Sequence, residues 1–236
     1  MAIALVAQTT FDHIAATNDT LTYSSSGSGS GSLMVILATR SGGLGTGVII
    51  SITDTASNTW TLATRGSVSG VQHTRIECWY TYNYASVTSV TMTSADSQYY
   101  ATSLSEWSGI ETSINPLDVV SPDNSGGASS TTQTVPTINT TSTFDLIIAA
   151  IHHTQSATSL DNDGSFTRMT NFDSTVMGTG RASYKFVSST GSYSDNWTLS
   201  LAQAAGHVTA SFKGQALVAD STILSQVAIG QSLRLH

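Results

Sequence analysis

Few side chains in this sequence could do chemistry, and their types and spacing say which chemistry it would be. Glu77, Glu106 and Glu111 are the only glutamates. Glu77 lies in RIECWY and Glu106 in SEWS, each beside aromatics, as in some glycosidase clefts. Two-carboxylate hydrolysis depends on the separation of the pair in space, which spacing along the chain does not give. The competing reading is a pair of strand carboxylates in partial contact with solvent. In LDNDGS, Asp161, Asn162 and Asp163 precede Gly164 and could begin a Ca²⁺ loop. An EF-hand needs a glutamate at loop position twelve, and residue 172 is Phe. An Asx-rich turn before a strand explains the same residues. Asp161 and Asp163 are thus the metal candidates, against an expectation of no metal and no cofactor. His152 and His153 are neighbours on a strand pattern, so they face opposite ways and cannot share a metal without a bulge. Cys78, the single cysteine, sits inside a strand pattern and reads as a small buried hydrophobe. Neither GSGSG at 27–31 nor RSGGLGTG at 40–47 has the context of a nucleophile elbow or a phosphate loop. No catalytic residue is expected, and the chain reads as a non-enzyme.

The elements that would position these residues are strands. Of 236 residues only 10% are charged, against roughly 25% in an average globular protein. Hydroxyls supply the polarity instead, with 38 Ser and 36 Thr. Thr, Val, Ile, Tyr and Trp suit a pleated, half-buried surface, and Ser and Gly suit turns. A net charge of −7 with no basic patch argues against a nucleic-acid partner. No stretch reaches the roughly 20 apolar residues of a membrane helix, so no membrane partner is expected. MAIALVAQTTFDH lacks the basic start and apolar length of a secretory signal, which points to synthesis in the cytoplasm. The Lys-poor, hydroxyl-rich composition nevertheless suits a surface exposed outside cells.

Strand patterns recur at short intervals, and a polar stretch at 121–134 divides them in two. SLMVILAT (32–39) and FDLIIAAI (144–151) are nearly continuous apolar runs, as for strands buried on both faces. TWTLAT matches SFTRMT, TRIECWYT matches RASYKFVS, VTSVTMT matches DNWTLSL, and ATSLSEWSG matches HVTASFKG. Trp60 then corresponds to Phe166 and not to Trp197, although NTWTLA and DNWTLS look alike. Trp60 to Trp79 is 19 residues and Phe166 to Tyr184 is 18, and Trp79 to Trp107 and Tyr184 to Phe212 are each 28, which matches Trp79 with Tyr184 and Trp107 with Phe212. The fold class expected is all-β: an antiparallel β-sandwich, jelly-roll or related Greek key, over residues 1–214. Its two quasi-repeated halves would cover about 32–109 and 143–214 and form one double-layered body, because a half alone would expose an apolar sheet face. The aromatics Trp60, Trp79, Trp107, Phe166, Tyr184, Trp197 and Phe212 are the core candidates.

A C-terminal extension, residues 215–236, breaks the pattern. It carries Leu217, Val218, Ile223, Leu224, Val227, Ile229, Leu233 and Leu235, too apolar for a solvated tail. It is either a last strand or short helix on its own domain, or an arm for a neighbouring subunit or partner.

Several motifs together resemble a known module. MAIALV, SLMVILATR, SITDTASNTWTLATR, RIECWYTYN and LSEWSGIET resemble a β-sandwich module of bacteriophage virion proteins and some bacterial surface proteins. The resemblance covers roughly residues 2–214 and rests on Asp54, Asn58, Trp60, Trp79, Glu106 and Gly109, which are core and turn positions. It brings no catalytic residues. It implies a virion protein made in the host cytoplasm and acting on the capsid surface. The first expectation is a capsid decoration, or cement, protein that forms a homotrimer and binds the major capsid protein. Its contacts would come from the apolar residues of 215–236 and from Ile3 and Leu5 of the first strand. The alternative is a glycan-binding module of a phage tail fibre or bacterial surface adhesin. There, Tyr23, Tyr82, Tyr84 or Tyr193 would stack sugars, and Asp161 or Asp163 would hold Ca²⁺.

Overall fold

The computed structural model describes residues 2–23, 32–41, 49–68, 74–121, 129–153, 160–173 and 178–215. In the first half these form β1 (Ala4–Thr22), β2 (Ser32–Ser41), β3 (Ile49–Asp54), β4 (Thr61–Val68), β5 (Thr74–Tyr82) and β6 (Ser89–Ser108). The second half begins with β7 (Leu117–Ser121), β8 (Ser130–Thr134), β9 (Ile138–Asn139), β10 (Asp145–His153) and β11 (Leu160–Asn162). It continues with β12 (Thr167–Arg168), β13 (Phe172–Asp173), β14 (Thr179–Val187), β15 (Ser192–Tyr193), β16 (Asn196–Gln203) and β17 (Ala205–Lys213). Every pairing is antiparallel. The chain is the all-β antiparallel sandwich that its composition implies.

The two halves have one strand order. The first large sheet runs β1-β6-β2-β5-β4, and the second runs β7-β17-β10-β14-β12. Over each lies a smaller layer. In the second half this is the separate sheet β11-β16-β8. In the first half it is built from β3, residues 89–94 of β6 and residues 18–22 of β1. The ribbon β1–β6 is long enough to serve both layers, and two of its three register shifts fall between His13 and Asn18, where it passes from one to the other. Counting eight strand segments per half, the large layer is ordered 1-8-3-6-5 and the small one 2-7-4. This is jelly-roll connectivity with the fifth segment paired to the sixth.

The layering differs from the double-layered body expected above. Each half is a sandwich in itself, and the two large sheets then face each other, giving four layers and three cores. The reason lies in β2 and β10. Leu33, Val35 and Leu37 face Leu146, Ile148 and Ala150 in the median core, which also holds Cys78. The alternate residues Met34, Ile36 and Ala38 face the first outer core. Ile147, Ala149 and Ile151 face the second. A strand apolar on both faces needs a covering layer on each side, at about 1.5–3 kcal/mol for each large side chain buried.

The median core is reciprocal. Leu33 pairs with Trp107 and Tyr82, and Leu146 pairs with Phe212 and Phe186. Trp107 is therefore the counterpart of Phe212, Tyr80 of Tyr184 and Tyr82 of Phe186. Trp107 packs edge-on against Tyr184 of the other half at 5.0 Å, and Phe212 packs against Tyr80 at 5.3 Å. Each half gives the same element to the other, as across a two-fold interface. Gly66 shows how close the sheets come: a Cβ there would meet the backbone oxygen of His207 at 2.1 Å.

The core candidates lie where expected. Trp79, Trp107, Phe166, Trp197 and Phe212 are buried, and Trp60 and Tyr184 pack partly buried against the cores. Trp60 and Phe166 both immediately precede the strand that pairs with β5 or β14, so they correspond. Trp197 lies on β16, a different strand.

Candidate functional site

The two glutamates that the sequence offers as a hydrolytic pair, Glu77 and Glu106, do not meet. Glu77 stands opposite Ala38 and Glu106 opposite Met34 across β2. Four residues of strand separate them, about 13 Å at roughly 3.3 Å per residue. A glycosidase pair needs roughly 5–9.5 Å. Each is engaged locally instead. Glu106, 1% exposed, accepts hydrogen bonds from the hydroxyls of Tyr23 and Tyr84. Burial, and then the Glu106 carboxylate, push both phenols well above their ordinary range. Glu77 accepts from Trp79 Nε1 at 2.7 Å and pairs with Arg65. Burial raises its carboxyl against those two partners.

The second half has its own buried acids. Asp118 accepts from the Thr141 backbone N–H at 2.7 Å and lies 3.7 Å from Lys213 Nζ. Burial alone would raise its carboxyl, but the Thr141 bonds hold it below the usual range. Asp145 has no exposed surface, and burial, followed by the neighbouring Asp118, pushes it up to about 7. Asp195 accepts from Ser183 Oγ and is raised by burial.

The histidines and Asx residues are also placed. His152 faces the median core, where its ring nitrogens lie 3.2 Å from the carbonyls of Thr179 and Arg40. Burial, then His153, lowers it to about 4, so the ring is neutral at pH 7. Burial pushes the Cys78 thiol up to about 12. Asp161 pairs with Arg168 at 2.8 Å. Asp163 caps the turn at Gly164 through Ser165 N–H and takes a bond from Asn196. Those bonds, the Ser165 ones first, lower its pKa. Among the described residues no three His, Cys, Asp or Glu side chains come together as a metal site.

Of the proposed contact residues, Ile3 lies inside the median core and Leu5 packs partly buried against it. Both therefore serve the chain's own packing, while Val6 beside them is 45% exposed. Leu217, Val218, Ile223, Leu224, Val227, Ile229, Leu233 and Leu235 lie outside the described residues.

The described residues also form an open concave surface. A groove of about 520 Å³ opens where the β3–β4 loop, the end of β5 and the segment before β7 meet. Ser57, Asn58, Thr59 and Thr61 line it on one side, and Tyr80, Thr81, Tyr82, Asn83 and Asn115 complete the lining. None of its lining residues is acidic or basic. Asp54 builds one wall by accepting from Ala56 N–H, Asn58 N–H, Asn58 Nδ2 and Trp60 Nε1. Asn58 in turn clamps the β5–β6 loop through both polar atoms of Ala85. Ser57 at φ 59° and Asn83 at φ 49° are the only non-glycine residues with positive φ among those described, and both line the groove. Such conformations persist where the surroundings hold them.

No family model, curated protein or solved structure matches this chain. The groove is therefore read from its own geometry. Tyr82 was legible in the sequence as a candidate for stacking a sugar. Tyr23 and Tyr84 are instead buried on Glu106, and Tyr193 bonds the Ser189 carbonyl. Ser57, Asn83 and Asn115 were missed. Their only signal was turn-type residues beside predicted strands, which is common to most loops.

Proposed function

We propose that this chain is a non-catalytic structural protein of a bacteriophage particle, a decoration protein that sits as a homotrimer on the major capsid protein. The supporting observation is where the motif residues lie. Asp54, Asn58 and Trp60 form one hydrogen-bonded loop. Glu106 ties down two tyrosines. Gly109, at φ +74°, lies where a Cβ would meet the Ala2 oxygen at 2.3 Å. All serve the fold, so the shared pattern is that of a rigid module with acids such as Glu77, Glu106, Asp145 and Asp195 buried inside it. Three stacked cores suit a load-bearing part of a shell. The apolar segment after Gln215 supplies the partner contact in this reading, since burial at a subunit joint yields roughly 25 cal/mol per Å² before ordering costs.

A chain ending at Gln215 tests this. Gln215 N–H bonds the Gly109 carbonyl, so the truncated chain keeps every described contact. The full chain should co-sediment with expanded capsids and appear on the head by electron microscopy, and the shortened one should lose most of its capsid affinity. Equal binding by both would refute the arm, and a position off the head would refute the decoration role.

A further inference from the structure

We infer that the groove beside Tyr82 is a binding site for a neutral oligosaccharide. Its volume of about 520 Å³ falls within the roughly 300–1,000 Å³ of small-ligand sites. The lining is amide, hydroxyl and tyrosine, with no acidic or basic group. Sugar hydroxyls both donate and accept, and so do Asn, Ser and Thr side chains. An anionic ligand would find no cation in the lining and would approach a chain of net charge −7.

The groove is also preorganised. Tyr82 is half-buried and stacked on the buried Tyr80, centroids 6.3 Å apart and planes within 20°. Its ring is therefore fixed as a platform of the kind that packs against the C–H face of a pyranose. Asn115 Oδ1 accepts from Tyr80 OH at 2.9 Å and from Leu117 N–H at 3.1 Å. With its oxygen committed, Asn115 offers a ligand its amide N–H pair. Asn58 is held by Asp54 and Ala85, so the facing wall is set before any ligand arrives. Sites fixed in advance lose less entropy on binding. The equivalent position in the second half carries Phe186 with Lys185 beside it, so the tyrosine platform is not repeated there. This inference stands whether the module sits on a head or elsewhere.

The test is calorimetric titration of the full chain with maltohexaose, cellohexaose, chitohexaose and mannohexaose, with a hyaluronan hexasaccharide as the anionic comparison. At least one neutral hexasaccharide should bind at millimolar concentration or below, and more tightly than hyaluronan. Tyr82→Ala should weaken that binding at least about tenfold, and Asn115→Ala should weaken it by a smaller factor. Thr59→Trp, a change at an exposed rim position, should block the groove without touching the core, which covers the case of Tyr82→Ala failing to fold. Failure of all four neutral sugars to bind, tighter binding of hyaluronan, or binding indifferent to Thr59→Trp would overturn the inference.

Discussion

In the first half the outer core is closed by Glu106, a carboxylate of the large sheet held by tyrosines from two different loops. In the second half the corresponding strand position is Ser211, and the outer core is closed by Asp195, which precedes β16 and is held by Ser183. One topology thus carries two unrelated polar pins. Burial pattern and strand order persist between the halves, while the residues that seal each core have changed. A buried carboxylate costs too much to leave without partners, so each pin comes with its own set. The ends of the central strands differ in the same way. Asp145 and His152 of β10 stand where β2 has Ser32 and Thr39.

The median core, where the halves are most alike, should give the largest and most even effects. Trp107→Ala and Phe212→Ala should each lose about 3–5 kcal/mol, read from urea unfolding. Both should unfold in one transition, because the shared core couples the halves. A cost under about 1 kcal/mol for either would break the reciprocity of the two elements. The outer pins should then separate the halves. Glu106→Gln replaces one acceptor with a donor opposite two tyrosine hydroxyls and should cost about 2–3 kcal/mol. Asp195→Asn should cost less, about 1 kcal/mol, since burial already favours the neutral acid there. Equal costs would mean that the two pins are energetically alike.

The last effect is a pH dependence set by Asp145 of the second half. Folded Asp145 keeps its proton to about pH 7, whereas an unfolded aspartate releases it near about 3.9. Between these values the unfolded chain binds fewer protons. The contribution of Asp145 is therefore complete below about pH 4 and is lost as pH rises towards 7. Asn imitates the neutral acid, so Asp145→Asn should gain on the parent by roughly 1 kcal/mol for each pH unit climbed within this window. His152, lowered to about 4, has the opposite slope but is common to both proteins and cancels in the difference. A difference that is flat with pH would show that Asp145 titrates normally.

Much of the fold was legible in the sequence. SLMVILAT and FDLIIAAI announced central strands, and the spacing between aromatics gave the correspondence of Trp60 with Phe166 and of Trp107 with Phe212. The match of Trp79 with Tyr184 slipped by one residue: Trp79 corresponds to Ser183, and Tyr80 to Tyr184. On a strand such a slip exchanges the two faces, so Trp79 belongs to an outer core and Tyr184 to the median one. The groove was scarcely legible, because its lining residues come from three places between Ser57 and Asn115 and none is unusual alone.

Composition and period-two patterning determined on their own that this chain is an antiparallel β protein with aromatic cores, because each strand's apolar faces are local in sequence. How many layers cover those faces, which acid seals which core, and that a neutral groove opens beside Tyr82 were decided by tertiary structure. Each depends on which distant strands and loops meet, and a hydrogen bond such as Tyr84 to Glu106 or Tyr80 to Asn115 exists only once they do.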